Sequence, residues 1–196
     1  MAYKHLPGLA CRRGLKWLVW SGMQNLPLRR PEPVPGSGFQ KERAMSNEQQ
    51  AVTVRAVQLE DYQQWLPLWL AYQDFYEVAL EDATSRLTFK RFLDPDESMF
   101  GAVAVKNGEL VGFVNAILHR STWTATDYCY LEDLYVAPTV RGDGTGKALI
   151  EWVRHIAQQH DCSRLYWHTH QTNKRAQALY NRVAQDSGFI EYRMPL

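Results

Sequence analysis

Three glycines at alternate positions, Gly142, Gly144 and Gly146, lie between a predicted strand and a predicted helix. Glycine lets the backbone pass close to a ligand and adopt positive φ angles. The start of a helix adds unpaired N–H groups and the positive end of the helix dipole. Together these features predict an anion site suited to a pyrophosphate.

Two common phosphate-binding motifs do not fit this loop. A Walker A loop needs a glycine where Arg141 stands and a serine or threonine where Ala148 stands. A dinucleotide-binding fingerprint needs the spacing G-x-G-x-x-G, and the strand before this loop belongs to an antiparallel run. From the loop alone, a glycine-rich turn without a ligand is the remaining alternative.

The elements around the loop follow from apolar periodicity. Strands are predicted over 51–57, 100–106, 110–119, 127–136, 164–169 and 189–194, and helices over 58–76, 84–93, 145–160 and 174–184. Pro67 is expected to kink or break the first helix, and Asn107-Gly108 predicts a tight hairpin turn. The order of the elements indicates a mixed α/β sheet domain.

Charge divides the chain of 196 residues into two parts. Residues 1–44 hold eight Lys or Arg and two Asp or Glu, whereas 45–196 hold 14 basic and 19 acidic residues. An acidic domain disfavours nucleic acid as a partner. No apolar run approaches the roughly 20 residues that span a bilayer, so no membrane partner is expected.

Residues 1–44 are predicted to be a disordered, basic and proline-rich leader, because they are rich in proline and glycine. A signal peptide fits less well, since Lys16 interrupts a short apolar stretch. Met45 is a natural start for a compact domain over 45–196, so whether the leader belongs to the native product stays open.

The cysteines and histidines do not form a recognisable ligand set. Cys11, Cys129 and Cys162 are widely separated, which disfavours a disulfide framework and fits a reducing cytoplasm. His168 and His170 share one face of a predicted strand, but no third ligand is evident. No metal site is therefore expected.

Several motifs together resemble the GNAT superfamily of N-acetyltransferases over roughly 51–196. Arg141-x-x-Gly144-x-Gly146 is similar to its acetyl-CoA signature. The run YLEDLYV at 130–136 resembles the diamine (spermidine/spermine) acetyltransferases. The helix at 173–180 resembles the family in its Asn and Tyr spacing, and the chain end resembles yeast histone/polyamine and D-amino-acid acetylating enzymes.

This resemblance implies a mostly antiparallel central sheet flanked by helices, with acetyl-CoA as co-substrate between a splayed strand pair. The residues implied to hold acetyl-CoA are Leu134, Tyr135 and Val136 on the strand, Arg141, Gly142, Asp143, Gly144, Thr145, Gly146 and Lys147 in the loop, and Asn173 at the start of the last helix. Asn173 could equally be an ordinary helix cap. A strand N–H aimed at the thioester oxygen would stabilise the tetrahedral intermediate. Members often pair, which implies a homodimer.

The resemblance also implies how protons are handled. An aliphatic amine is mostly protonated at neutral pH and must lose a proton before it attacks. Glu132 is the expected base, through water, and Tyr180 the expected acid for the departing thiolate. Asp74 and Glu77 are expected to hold a cationic substrate. The alternatives are a salt-bridged or solvated Glu132, a Tyr180 that only packs in the core, and a solvated helix end.

The sequence therefore predicts acetyl transfer from acetyl-CoA to the primary amine of a small molecule, such as a polyamine or an amino acid. Acetylation of a protein lysine or N-terminus is a second hypothesis. A non-catalytic acyl-CoA-binding module is a third, from a different functional class.

Overall fold

The structure, a computed structural model, describes residues 51–196, and the predicted leader over 1–44 lies outside them. The strands are β1 Thr53–Ala56, β2 Met99–Lys106, β3 Glu109–Arg120, β4 Asp127–Val136 and β5 Arg164–Tyr166. The helices are α1 Tyr62–Phe75, α2 Asp82–Phe92, α3 Thr145–Gln159 and α4 Lys174–Val183, with 3₁₀ turns at Leu59–Asp61 and Pro138–Val140. None of these helices combines the length and apolar character needed to cross a membrane.

The five strands form one sheet in the order β1-β2-β3-β4-β5. The first four are antiparallel neighbours, and β5 joins β4 in parallel. The β2–β3 hairpin turns at Asn107 (φ 55°) and Gly108 (φ 81°), the two left-handed residues that a tight hairpin needs. The prediction of a mixed, mostly antiparallel sheet flanked by helices is confirmed.

Two apolar cores lie on opposite faces of the sheet. On one face, α3 buries Leu149 and Val153 against Val114 of β3 and Cys129 of β4. The other core joins helices α1 and α2 to the sheet through a set of aromatic side chains, namely Trp65, Trp69, Phe89 and Phe113. Burying each large apolar side chain stabilises the fold by about 1.5–3 kcal/mol. The two cores fix the central strands between the helices.

Of the kink or break predicted at Pro67, the break is wrong, because α1 runs through that position. Pro67 and Gln63 are both exposed, so the carbonyl that loses its helical bond at Gln63 can be hydrated. Trp65 and Trp69 flank the proline and are almost fully buried, which holds both halves of the helix on the sheet.

The end of the chain also differs from its prediction. No strand forms over 189–194, and β5 ends at Tyr166 rather than at 169. The apolar side chains of Phe189, Ile190 and Tyr192 are more than two-thirds exposed. The residues 189–194 that predicted the strand pair with no other strand, and the edge strand β5 is only three residues long.

Candidate active site

The site is built around the point where β4 and β5 separate. Their parallel ladder runs from Tyr128↔Arg164 to Tyr130↔Tyr166 and stops there. Strand β4 continues to Val136 and stays paired with β3 on its other side. Among residues 51–196, no strand pairs with the outer edge of β4 beyond Tyr130. That edge presents backbone groups to a gap in the sheet, as predicted for a splayed pair.

A β-bulge at Glu132 sets the direction of the side chains beside this gap. Asp133 pairs with Asn115 and Leu131 pairs with Ala116, which leaves Glu132 without a partner opposite it. A bulge shifts the alternation of side chains by one residue. Leu131 therefore faces the α3 core, as Leu134 does three residues later.

The glycine loop adopts the left-handed backbone that its sequence predicts. Gly142 has φ 104° and Gly144 has φ 94°, and a Cβ added at either would meet nothing within 4 Å. The first bond of α3 joins the Ala148 amide to the Gly144 carbonyl. The amides of Gly146 and Lys147, which precede Ala148 in the first turn, have no acceptor within the helix and are available to an anion.

Asp143 and Thr145 stabilise the loop from the side away from the gap. The Asp143 carboxylate accepts from the Thr145 hydroxyl at 2.6 Å and from the Thr145 amide at 3.3 Å. It also pairs with Lys106 Nζ at 2.9 Å, which ties the loop to the end of β2. These contacts lower the pKa of Asp143, with the Thr145 hydroxyl as the largest cause and Lys106 next.

Arg141 crosses back over the end of β4. Its Nε donates to the Val136 carbonyl at 2.8 Å, and its guanidinium carbon lies 5.7 Å from the centre of the Tyr135 ring. The side chain closes the turn between strand and loop while keeping its charge beside the glycines.

A cavity of about 570 Å³ joins the gap, the loop and one side of α4. The predicted site residues that line it are Glu132, Leu134, Tyr135, Val136, Arg141, Gly142, Gly144, Gly146, Lys147, Asn173 and Tyr180. Asp143, Thr145, Asp74 and Glu77 do not line it. The structure thus brings most of the predicted residues to one cleft, while Asp74 and Glu77 are exposed at the end of α1.

Tyr180 reaches the cavity from α4, where its ring packs against Trp167 with centroids 5.4 Å apart. Burial, and secondly the nearby Tyr76, raises the pKa of Tyr180 to about 12. The phenol is therefore protonated at neutral pH and can donate. Asn173 caps the same helix, because its Oδ1 accepts from the Ala176 amide at 3.2 Å.

Glu132 enters the cavity from the bulge. Partial burial, followed by the nearby Asp133, raises the pKa of its carboxyl. A raised carboxyl pKa makes the ionised form a stronger base toward an ammonium ion, provided that the pH stays above that pKa.

Aromatic residues at the end of α1 are one part of the cleft that the sequence did not predict. Tyr72, Phe75 and Tyr76 line the cavity, whereas Asp74 and Glu77 at the same helix end do not. Tyr72 continues the series of Trp65 and Trp69 at helical spacing, and this spacing is the signal that could have placed it on the inward face of the helix. Spacing alone does not show that the residue borders a cleft.

The chain matches known proteins over most of the described region. Residues 65–184 match the model of the Acetyltransferase (GNAT) family. The D-amino-acid N-acetyltransferase HPA3 of Saccharomyces cerevisiae is 33% identical over 157 residues, which cover 76% of this chain and 98% of the relative. The thialysine N-epsilon-acetyltransferase of Bos taurus is 40% identical over 78 residues, 39% of this chain and 45% of the relative.

A solved structure agrees in fold. The aminoglycoside N-acetyltransferase AAC(6')-Iy in complex with CoA superposes with a TM-score of 0.65 at 17% identity. The match covers 74% of this chain and 95% of that structure's chain.

Proposed function

The chain belongs to the GNAT acetyltransferase family, and we propose that its cleft transfers the acetyl group of acetyl-CoA to the primary amine of a small molecule. The observation that supports this most strongly is the meeting of three features in one cavity: the free edge of β4, the glycine loop and the phenol of Tyr180. The enzyme is an acetyl-CoA-dependent N-acetyltransferase, and acetyl-CoA is its co-substrate.

The loop and β4 fit acetyl-CoA by their backbone groups. The open positions at Gly142 and Gly144 leave room for a pyrophosphate against the amides of Gly146 and Lys147. From there, the edge of β4 from Leu134 to Val136 leads to the gap and can bind the pantetheine arm. Acetyl-CoA supplies the activated acyl carbon, and one edge amide supplies an oxyanion-type donor worth about 3 kcal/mol in the barrier.

Glu132 and Tyr180 handle the protons on either side of the acyl carbon. Glu132, through water, accepts the proton that converts the ammonium group of the acceptor into a nucleophilic amine. After the attack, Tyr180 donates its proton to the sulfur of the departing thiolate. The partial burial of both groups supports these roles, because it raises the pKa of the base and keeps the acid protonated.

The acceptor is proposed to be an amino acid or a related small amine. Similarity along nearly the whole length of the yeast D-amino-acid enzyme supports D-amino acids as the first class to test. The size of the cavity, about 570 Å³, and its partial lining by Tyr72, Phe75 and Tyr76 also favour a small acceptor.

The test is release of free thiol from acetyl-CoA with D- and L-amino acids, polyamines and lysine-containing peptides. We expect turnover with small amines that exceeds turnover with peptides. Turnover confined to peptides would instead indicate protein acetylation, and binding of acetyl-CoA without any turnover would indicate a non-catalytic module. No affinity for acetyl-CoA or CoA would contradict the proposal altogether.

The assembly and location of the enzyme are also part of the proposal. The exposed apolar side chains of Phe189, Ile190, Tyr192 and Met194 support a homodimer, since a second copy could cover them. Free Cys129 and Cys162 support a reducing, cytoplasmic setting. Light scattering should give the mass of a dimer, and truncation after Gly188 should convert it to a monomer. A monomeric full-length chain at micromolar concentration would contradict the homodimer.

A further inference from the structure

The reaction proposed above has to remove two protons from the acceptor nitrogen. The ammonium form of a primary amine carries three N–H bonds, whereas the nitrogen of the amide that it becomes carries one. Glu132 accounts for the proton that leaves before the attack. The second proton leaves the positively charged nitrogen of the tetrahedral intermediate, and a second group in the cleft has to accept it.

His168 borders the same gap as Glu132, from the side of β5. The ladder between β4 and β5 ends at Tyr130↔Tyr166. Glu132 is two residues beyond that pair on β4, and His168 is two residues beyond it in the segment that follows β5. The rings of His168 and Tyr166 are in contact, with centroids 5.9 Å apart, so these two side chains lie on one side of the chain. Both Glu132 and His168 line the cavity.

Aromatic side chains from three strands hold the His168 ring. The Tyr130 hydroxyl is 3.3 Å from His168 Nδ1, and the centroids of the two rings are 5.5 Å apart. The ring of Tyr166 lies 5.1 Å from that of Tyr130, and its hydroxyl is 3.0 Å from His119 Nε2 on β3. The imidazole is therefore positioned by a hydrogen bond and by two ring contacts.

The contact with Tyr130 engages only one of the two ring nitrogens. Within residues 51–196, His168 Nε2 makes no hydrogen bond. In the tautomer that carries its proton on Nδ1, this proton is donated to the Tyr130 oxygen, and Nε2 keeps a lone pair that can take up a proton. Burial, and secondly the nearby Glu132, raises the pKa of Tyr130 to about 12, so the phenol keeps its own proton at neutral pH. The imidazole is thus the proton acceptor of this pair.

The other charged groups near His168 belong to the end of the chain. The pKa of Glu191 is lowered, first by its hydrogen bond with Arg193 and to a smaller extent by His168. Because Glu191 is already paired with Arg193, it does not occupy His168 as a hydrogen-bond partner. His168 is exposed to solvent. Since imidazoles change their charge between pH 5 and 8, one at an exposed position can release its proton to water after each cycle.

We propose that His168 is a further catalytic residue, which accepts the second proton of the acceptor nitrogen at Nε2, and that Tyr130 is the positioning residue that orients its ring. This inference rests on the proposed acetyl transfer. It adds to the roles of Glu132 and Tyr180 and replaces neither.

The protons balance over one cycle. Glu132 passes the first proton of the ammonium to solvent, and the free amine forms the C–N bond. His168 takes the second proton from the positively charged nitrogen of the intermediate. The C–S bond breaks, and the sulfur takes the proton of Tyr180. His168 then releases its proton to solvent and Tyr180 regains one from solvent, which leaves one proton released for each amide formed.

The test compares His168→Ala and His168→Gln with the wild type, using acetyl-CoA and the best acceptor amine and measuring the N-acetylated product. Each change should lower kcat by about 10–100-fold, at the lower end of acid–base effects. Affinity for acetyl-CoA and the KM for the acceptor should change by less than about twofold, because the group acts only after the C–N bond has formed.

Free imidazole separates proton transfer from packing. His168→Ala opens space at an exposed position, where imidazole from solution can enter and take the proton instead. The kcat of His168→Ala should therefore rise with imidazole concentration at constant pH, above the rate without enzyme. The kcat of His168→Gln should not rise, since its side chain fills the space without being able to accept the proton.

The matched control is His170→Ala, at an exposed histidine two residues further along the chain. His170 Nδ1 lies 2.7 Å from Thr172 Oγ1, and His170 does not line the cavity. This variant should keep the wild-type kcat with and without imidazole.

Tyr130→Phe tests the positioning role. It keeps the ring but removes the hydroxyl, so kcat should fall by about 3–10-fold, the effect of one hydrogen bond. Since Tyr130 acts through His168, the double variant Tyr130→Phe/His168→Ala should be no slower than His168→Ala. A slower double variant would show that Tyr130 acts independently and would remove its positioning role.

The outcomes distinguish the role of His168 from the function on which it rests. A wild-type kcat in His168→Ala would overturn that role while acetyl transfer stands, and so would a loss that imidazole does not restore. A rise in the acceptor KM at unchanged kcat would indicate that His168 only binds the acceptor, and would also overturn it. A wild type that binds acetyl-CoA but acetylates no amine would refute the proposed function, and the role of His168 with it.

Discussion

Replacing Tyr180 by phenylalanine is expected to lower kcat for acetyl transfer by about 10²–10³-fold, within the range for loss of a positioned acid. The ring contact with Trp167 remains in the variant, because only the hydroxyl is removed. The departing thiolate would then have to take its proton from water. Since the hydroxyl acts only when the C–S bond breaks, the affinity for acetyl-CoA should change by less than about twofold. Thiol release and calorimetric titration with CoA measure the two quantities.

The pH dependence of the wild type provides a second check on the same residue. A pKa of about 12 keeps Tyr180 protonated across the usual assay range, so its ionisation should produce no alkaline fall in kcat below about pH 11. Tyr62→Phe, at a tyrosine of α1 that does not line the cavity, serves as the matched control and should keep wild-type kcat. Wild-type kcat in Tyr180→Phe would remove the phenol from the mechanism and leave the alternative in which Tyr180 only packs in the core.

The sequence predicted the parts of the site that depend on local backbone chemistry. Left-handed angles at Gly142 and Gly144 follow from glycine itself, and the cap at Asn173 follows from a short polar side chain before a helix. The strand before the loop was also predicted with its full length, because its apolar and aromatic residues continue to the first proline after it. These features need no information about distant parts of the chain.

The remaining features of the site depend on long-range pairing. The bulge at Glu132 is defined by the pairing with β3. Asn115 and Ala116 are adjacent on β3, but their partners on β4, Asp133 and Leu131, are two residues apart. Strict alternation places Glu132 and Asp133 on opposite faces, but it does not show that Asp133 Oδ2 would accept a hydrogen bond from Asn115 Nδ2 of β3. Similarly, an alternating pattern at 189–194 cannot reveal whether a partner edge exists.

The positive φ angles of the glycine loop lead to the second large expected effect. Alanine at both Gly142 and Gly144 should weaken acetyl-CoA binding by about 30–1,000-fold, since holding a non-glycine residue in a left-handed backbone costs about 1–2 kcal/mol at each position. A Cβ at either site meets no neighbouring atom within 4 Å, so the effect would come from the backbone and not from a clash. The loop of the free variant would relax, and binding would have to restore the strained conformation.

The matched control for this variant is Gly108→Ala in the β2–β3 hairpin. Gly108 has φ 81°, also has no atom within 4 Å of an added Cβ, and does not line the cavity. Its replacement should lower the thermal midpoint of unfolding by an amount comparable to that of a single loop substitution, while the Kd for CoA stays unchanged.

If the double loop variant bound CoA as tightly as the wild type, the amides at the start of α3 would not be the pyrophosphate site. If Gly108→Ala weakened binding equally, general destabilisation would explain the loss. Only a loss specific to the loop supports a preformed cradle that holds the diphosphate and thereby places the acyl carbon at the gap beside β4.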